Sequence, residues 1–172
     1  MKKCRKFNFL EFIKCLIIPI LTGFVSYLLT KNNMNIYDVI KKPFLSPPPI
    51  VFMIVWPILY ILMGISFYLT QSCKSGYSQN LDYNFHRKKS ASIIFYIQLF
   101  FNFIWSLIFF NLRLYFVSFI CLIVLLSFVI IMFFKFYKLN KTSAFLQIPY
   151  ITWIVFAGYL NLSIYLLNEA FI

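Results

Sequence analysis

The amino-acid sequence predicts an all-α integral membrane protein, a five-transmembrane-helix bundle, and three observations carry that expectation. The first is composition: of 172 residues, 62% are hydrophobic and only 12% charged, with a mean hydropathy of +0.85. A soluble domain of this size carries about 45–50% apolar and about 25% charged residues, and half the usual charge cannot cover a globule in water. The second is length: five stretches run for about 20 residues with almost no charge, enough to cross about 30 Å of hydrocarbon. The third is placement, because Lys and Arg gather between those stretches rather than within them. The whole chain, residues 1–172, reads as one membrane domain.

The first span runs from about Phe9 to Leu29. Its basic start resembles a signal peptide, but Glu11 and Lys14 interrupt the apolar run and no small-residue cleavage site comes before Thr22–Gly23. It reads as a retained helix, with Glu11 and Lys14 on one helical face. A loop over 30–47 follows, and "SPPP" leads into the second span, Pro48 to Thr70. Proline is tolerated in a first helical turn, where its missing N–H has no partner anyway. Ser46 is the expected N-cap, and Pro57 is expected to kink the helix by freeing a carbonyl.

Residues 71–90 read as a polar loop ending "HRKKS", before a third span from Ala91 to Phe110. Asn111 to Arg113 then makes a tight turn into the fourth span, Leu114 to Phe134. A connection over 135–145 leads to the fifth, Leu146 to Leu167.

The net charge is +12, from sixteen bases against Glu11, Asp38, Asp82 and Glu169. Twelve of the bases fall on one side of this topology (Lys2, Lys3, Arg5, Lys6, Lys14, Lys74, Arg87, Lys88, Lys89, Lys135, Lys138 and Lys141). Four, Lys31, Lys41, Lys42 and Arg113, fall on the other. The bias puts the N-terminus in the cytoplasm and the first loop with the C-terminus outside. Bases placed this way meet lipid headgroups, not nucleic acid. Abundant Phe, Ile, Asn and Lys with few Ala and Gly fit an AT-rich genome, and so a bacterial cell membrane. Cys4, Cys15, Cys73 and Cys121 are scattered and His86 stands alone, so no zinc ligand set or disulfide framework is expected.

Polar residues inside the spans are few. Gln98 and Asn102 are four apart on one face of the third span, and Trp105 continues that face. Trp153 and Asn161 sit on the fifth, with Thr152, Ala157 and Gly158 nearby. Amides in lipid need partners, and two readings stand side by side: they tie helices together, or they meet a ligand.

Three stretches carry a family resemblance. "IYDVIKKPFLSPPPIVFMIVWPILYILMGISFYL" (36–69) resembles the first-loop and second-helix signature of the tryptophan-rich sensory protein and translocator protein family, also called the peripheral benzodiazepine receptor family. "QLFFNFIWSLIFF" (98–110) is similar to its third-helix motif, and "PYITWIVFAGYLN" (149–161) to its fifth. The resemblance implies a five-helix bundle with a pocket opening toward the first loop, for porphyrins, heme-like tetrapyrroles and other hydrophobic small molecules. By motif position the pocket would be lined by Tyr37, Phe52, Trp56, Gln98, Asn102, Trp105, Trp153, Ala157 and Asn161. A flat apolar macrocycle wants aromatic walls and a few placed polar groups, which these residues supply.

The resemblance also brings a homodimer, although the third span lacks the small-xxx-small face of close helix pairs. The chain departs from the pattern at Leu45 and Ile36, where the family has tryptophan, and no base follows Tyr159 or Tyr165 to make the mammalian cholesterol motif. The implied function is porphyrin sensing, sequestration or transport with no required cofactor. Its alternative is light- and oxygen-dependent porphyrin degradation, with Trp56 and Trp153 as the reacting indoles. No acid–base pair or nucleophilic triad supports other enzymology. The absence of an ionisable residue deep in spans two to five weighs against an ion-coupled transporter.

Overall fold

The computed structural model describes residues 7–34, 36–72 and 81–168. The basic tail through Lys6, the thiol of Cys73, Lys74 and Glu169 lie outside the described residues, as do the side chains of Asp38 and of 81–84. The order is α1 (Phe9–Thr30), a 3₁₀ turn (Lys31–Asn33), α2 (Ile36–Val39), α3 (Pro49–Ser72) and α4 (Leu81–Leu107). A π turn (Ile108–Leu112) leads on to α5 (Tyr115–Leu139), α6 (Lys141–Phe145) and α7 (Ile148–Asn168). Five of these helical stretches are long and apolar enough to cross a membrane, and no strand occurs among the described residues. The protein is a five-helix membrane bundle.

Local chemistry sets most boundaries. Asn8 caps α1, its Oδ1 accepting from the N–H groups of Leu10 (3.1 Å) and Glu11 (3.3 Å). Arg113 takes φ 58° at the turn into α5, and its N–H closes onto Ile108 O. Ser46 does not cap α3. The helix starts at Pro49, Pro48 O accepts from Val51 N (3.0 Å), and prolines at the cap and first position leave few N–H groups to satisfy. Ser46 pairs with the Tyr37 hydroxyl instead.

Two expected loops are largely helical. The stretch 81–90 holds no Pro or Gly and forms the first turns of α4, where Lys88 Nζ donates to Gln71 O. The core side of α5 continues through Met132, Phe136 and Leu139, so that helix runs on to Leu139. Asn140 then adopts an extended conformation, ends α5, and caps α6 by accepting from Ser143 N (3.3 Å).

α1 packs along α3, α4 along α5 and α5 along α7, with α1 also against α4 and α6 against α3. One close approach depends on glycine. A Cβ on Gly64 would stand 2.8 Å from Leu16 Cα and 3.0 Å from Cys15 O. That carbonyl is also the one Pro19, with no N–H, cannot serve.

The two ends of the bundle differ. At the end bearing Arg87 and Lys135, Met63, Phe95, Val129, Met132 and Phe136 are fully buried, and Phe67 stacks on Phe95 at 4.1 Å and 2°. Ser66 Oγ donates to Ser143 O (2.7 Å), joining α3 to α6. The other end, toward the loop over 31–48, holds two adjoining cavities. The thiols of Cys15 and Cys121 are free and buried.

Candidate ligand-binding site

The larger cavity, about 470 Å³, lies between α1 and α3 with α4 behind it; the smaller, about 280 Å³, lies under the loop between α3, α4 and α7. Binding pockets for small molecules span about 300–1,000 Å³, so the two together suit one drug-sized or macrocyclic ligand. Phe52, Met53, Trp105 and Phe110 border both.

The walls are aromatic ribbons whose spacing follows from the helices. Trp56 and Tyr60, four apart on α3, stack at 5.7 Å and 30°. Trp56 meets Trp105 of α4 at 5.8 Å, and Trp105 meets Phe109 one turn on, also at 5.8 Å. A second ribbon meets the same α3 face at Phe52, one turn before Trp56: Tyr37 to Phe52 at 5.2 Å, then Phe52 to Trp153 at 5.6 Å. Such tilted and edge-on pairs expose ring faces for a planar guest.

Polar groups form one directed chain at the floor. Tyr60 donates to Asn102 Oδ1 (2.7 Å), Asn102 Nδ2 donates to Tyr150 (3.0 Å), and Tyr150 donates to Gln98 Oε1 (2.9 Å). It ties α3, α4 and α7 together, and each such bond between membrane helices is worth about 0.6 kcal/mol on average. On the far wall Asn161 Nδ2 donates to Ser118 Oγ (2.8 Å), joining α7 to α5. Ser26 and Ser106 pair across α1 and α4 at the edge of the larger cavity.

The sequence-predicted residues divide clearly. Phe52, Trp56, Asn102 and Trp105 line the larger cavity; Tyr37, Phe52, Trp105, Ala157 and Asn161 line the smaller. Gln98 and Trp153 line neither. Gln98 is sealed in the core by Tyr150, with its Nε2 4.0 Å from Met63 Sδ, and so ties helices together. Trp153 stands one ring back, behind Phe52. Asn102 and Asn161 both tie helices and face a cavity. The indole N–H groups of Trp105 and Trp153 find no hydrogen-bond partner among the described residues. Leu45 is exposed on the loop, away from both walls.

Sequence reasoning missed Tyr60, Tyr150, Gly23 and Ser26. Tyr60 had a signal, lying one turn beyond Trp56 on the same face. Gly23 had only its smallness: a Cβ there would sit 2.2 Å from Tyr60 Cε2, so glycine lets that ring lie flat against α1 with its hydroxyl toward Asn102.

The loop over 31–48 covers the smaller cavity and is fastened at several points. Tyr37 is buried, with its hydroxyl donating to Pro47 O (3.2 Å) and Lys42 Nζ 4.6 Å from its ring centre. Asn168 of α7 accepts from Lys41 N and donates to Lys41 O, both at 3.0 Å. Asn33 donates to Asn111 Oδ1 (2.9 Å), and Asn111 donates to Leu29 O (3.0 Å).

Comparison with known proteins adds four findings. The model of the TspO/MBR family matches residues 15–167. The chain is 33% identical to the tryptophan-rich protein TspO of Archaeoglobus fulgidus over 94% of its own length and 99% of that protein's. It is 29% identical to the tryptophan-rich protein TspO of Chlorobaculum tepidum (90% and 93% covered) and 31% identical to protein CrtK of Rhodobacter capsulatus (77% and 78%).

Proposed function

Because this chain belongs to the TspO/MBR family, we propose that it binds a porphyrin or heme-like tetrapyrrole in the loop-side cavities, and so senses, sequesters or moves it. The observation that carries this reading is the run of aromatic rings, Phe52, Trp56, Tyr60 and Trp105, along a nearly apolar cavity, with Asn102 and Tyr60 at its floor. Ring faces suit a flat macrocycle, and the two floor groups fix its orientation. No metal or nucleophile is needed for binding. Protoporphyrin titrated into the detergent-purified protein is expected to quench tryptophan emission saturably, with a Kd in the micromolar range, about −8 kcal/mol. Quenching that never saturates, and matches that of an unrelated membrane protein, removes the reading.

The charge count of twelve against four supports an orientation with the N-terminus in the cytoplasm and the loop over 31–48 outside a bacterial membrane. An impermeant thiol reagent on intact cells is expected to label Phe44→Cys and spare Lys89→Cys. The opposite pattern inverts the topology.

A further inference from the structure

The larger cavity has walls of two kinds. Asn102, Ser26 and Trp105 are buried, Trp105 to 6% exposure, while Ile20, Phe24, Met53 and Ile61 border the same space with 43%, 56%, 52% and 43% of their surface exposed. Residues that face both the cavity and the outside mark its mouth, and this mouth lies between α1 and α3. Ile20 stands about 15 Å from either end of α1, at 1.5 Å per residue, which is mid-bilayer. The mouth therefore opens into hydrocarbon and is continuous with the lipid-facing surface of the two spans.

The loop-side approach is different. There Asn168, Asn111 and Tyr37 hold the 31–48 loop down by hydrogen bonds to α7, to the π turn and within the loop. One way in is fastened and the other is open.

We propose that the larger cavity is a lateral site for a lipid acyl chain, which fills it when no other ligand is present, and that hydrophobic ligands enter by the same flank. An empty apolar void forfeits dispersion contacts on its lining. Ser26 bonds Ser106 and Tyr60 bonds Asn102, and the Trp105 indole N–H alone does not give a water the two or more polar partners it needs. Acyl chains are the solvent at that depth. A headgroup cannot follow to mid-bilayer without losing its hydration, so the occupant is one tail whose headgroup stays at the interface. This inference does not depend on tetrapyrrole binding.

The test uses bromine as a contact quencher. A Trp56→Phe/Trp153→Phe protein, which keeps Trp105, is reconstituted in phosphatidylcholine with or without bromines at mid-chain. Lipid on the outer surface cannot touch a residue so buried, so an acyl chain in the cavity is expected to lower Trp105 emission at least twofold. Narrowing the mouth with Ile20→Phe/Ile61→Phe is expected to restore most of it. Emission equal in the two lipids overturns the proposal. The wild-type protein gives a second readout with a phospholipid bearing a mid-chain diazirine. Photo-adducts are expected on Trp105 and Ser106; adducts confined to outward-facing residues such as Phe100 count against the site.

Discussion

The two halves of the bundle are built from the same kinds of residue and end up opposite in character. At the basic end, Phe67 and Phe95 lie face to face at 4.1 Å, and Ala91, Ser66, Ser143 and Ala144 around them are fully buried. At the loop end, Trp56, Trp105 and Phe109 keep 5.8 Å between centroids, tilted 33° and 34°, around open space. Small residues opposite large ones let helices close in the first half. In the second, large rings face one another from α3 and α4, and Pro57 stands in the wall where helix bonding is already broken. Apolar composition puts a chain in the membrane; the pairing of large with small decides whether it packs or hollows there.

The largest expected effect tests that contrast. Phe67→Ala should lower stability by about 3–5 kcal/mol, because a filled site cannot collapse around the loss. Trp105→Ala removes more atoms yet already borders a void, so it should lose less than half as much on the same denaturation curve. Equal losses would mean that the two halves are packed alike.

The glycines sharpen the contrast. Gly64→Val meets the Leu16 backbone at 2.8 Å and should destabilise by about 1–3 kcal/mol. The three atoms nearest a Cβ at Gly23 all belong to the Tyr60 ring, which borders the larger cavity and can tilt into it. The stability of Gly23→Ala should change little, while protoporphyrin affinity falls several-fold as the hydroxyl of Tyr60 leaves Asn102. A Gly23→Ala protein that unfolds as readily as Gly64→Val would show the loop end to be as tight as the other.

Both halves were partly legible in the sequence. Five spans followed from hydropathy alone, because lipid demands about 20 apolar residues each. The extra helix over 81–90 and the extension to Leu139 were hidden, since polar residues with helical propensity look like loop when only apolar length is counted. At the site, the motif positions brought Phe52, Trp56, Asn102 and Trp105 to one wall. Whether Gln98 met a ligand or a helix was not legible, because its partner Tyr150 lies 52 residues away.

The smallest effect concerns the indoles. Trp56→Phe and Trp153→Phe should each weaken protoporphyrin binding by about 1 kcal/mol or less, as volume-conserving apolar swaps do. Trp56 lines the cavity and Trp153 does not. Any oxygen-dependent loss of the Soret band under light, measured at equal occupancy, should therefore fall more in Trp56→Phe. Identical bleaching in wild type and both variants would mean that the porphyrin destroys itself without the protein's help.

That a ligand sits in the hollow half is tested most directly by filling it. Ser106, buried between α1 and α4, borders the larger cavity, and Ser106→Phe would put a ring into that space. Phe100, exposed on the outside of α4, provides the control Phe100→Leu. Protoporphyrin affinity of the three proteins, each checked for intact helicity and melting, should be unchanged in the control and at least tenfold weaker in Ser106→Phe, about 1.4 kcal/mol. A folded Ser106→Phe protein that binds protoporphyrin as tightly as wild type would contradict it.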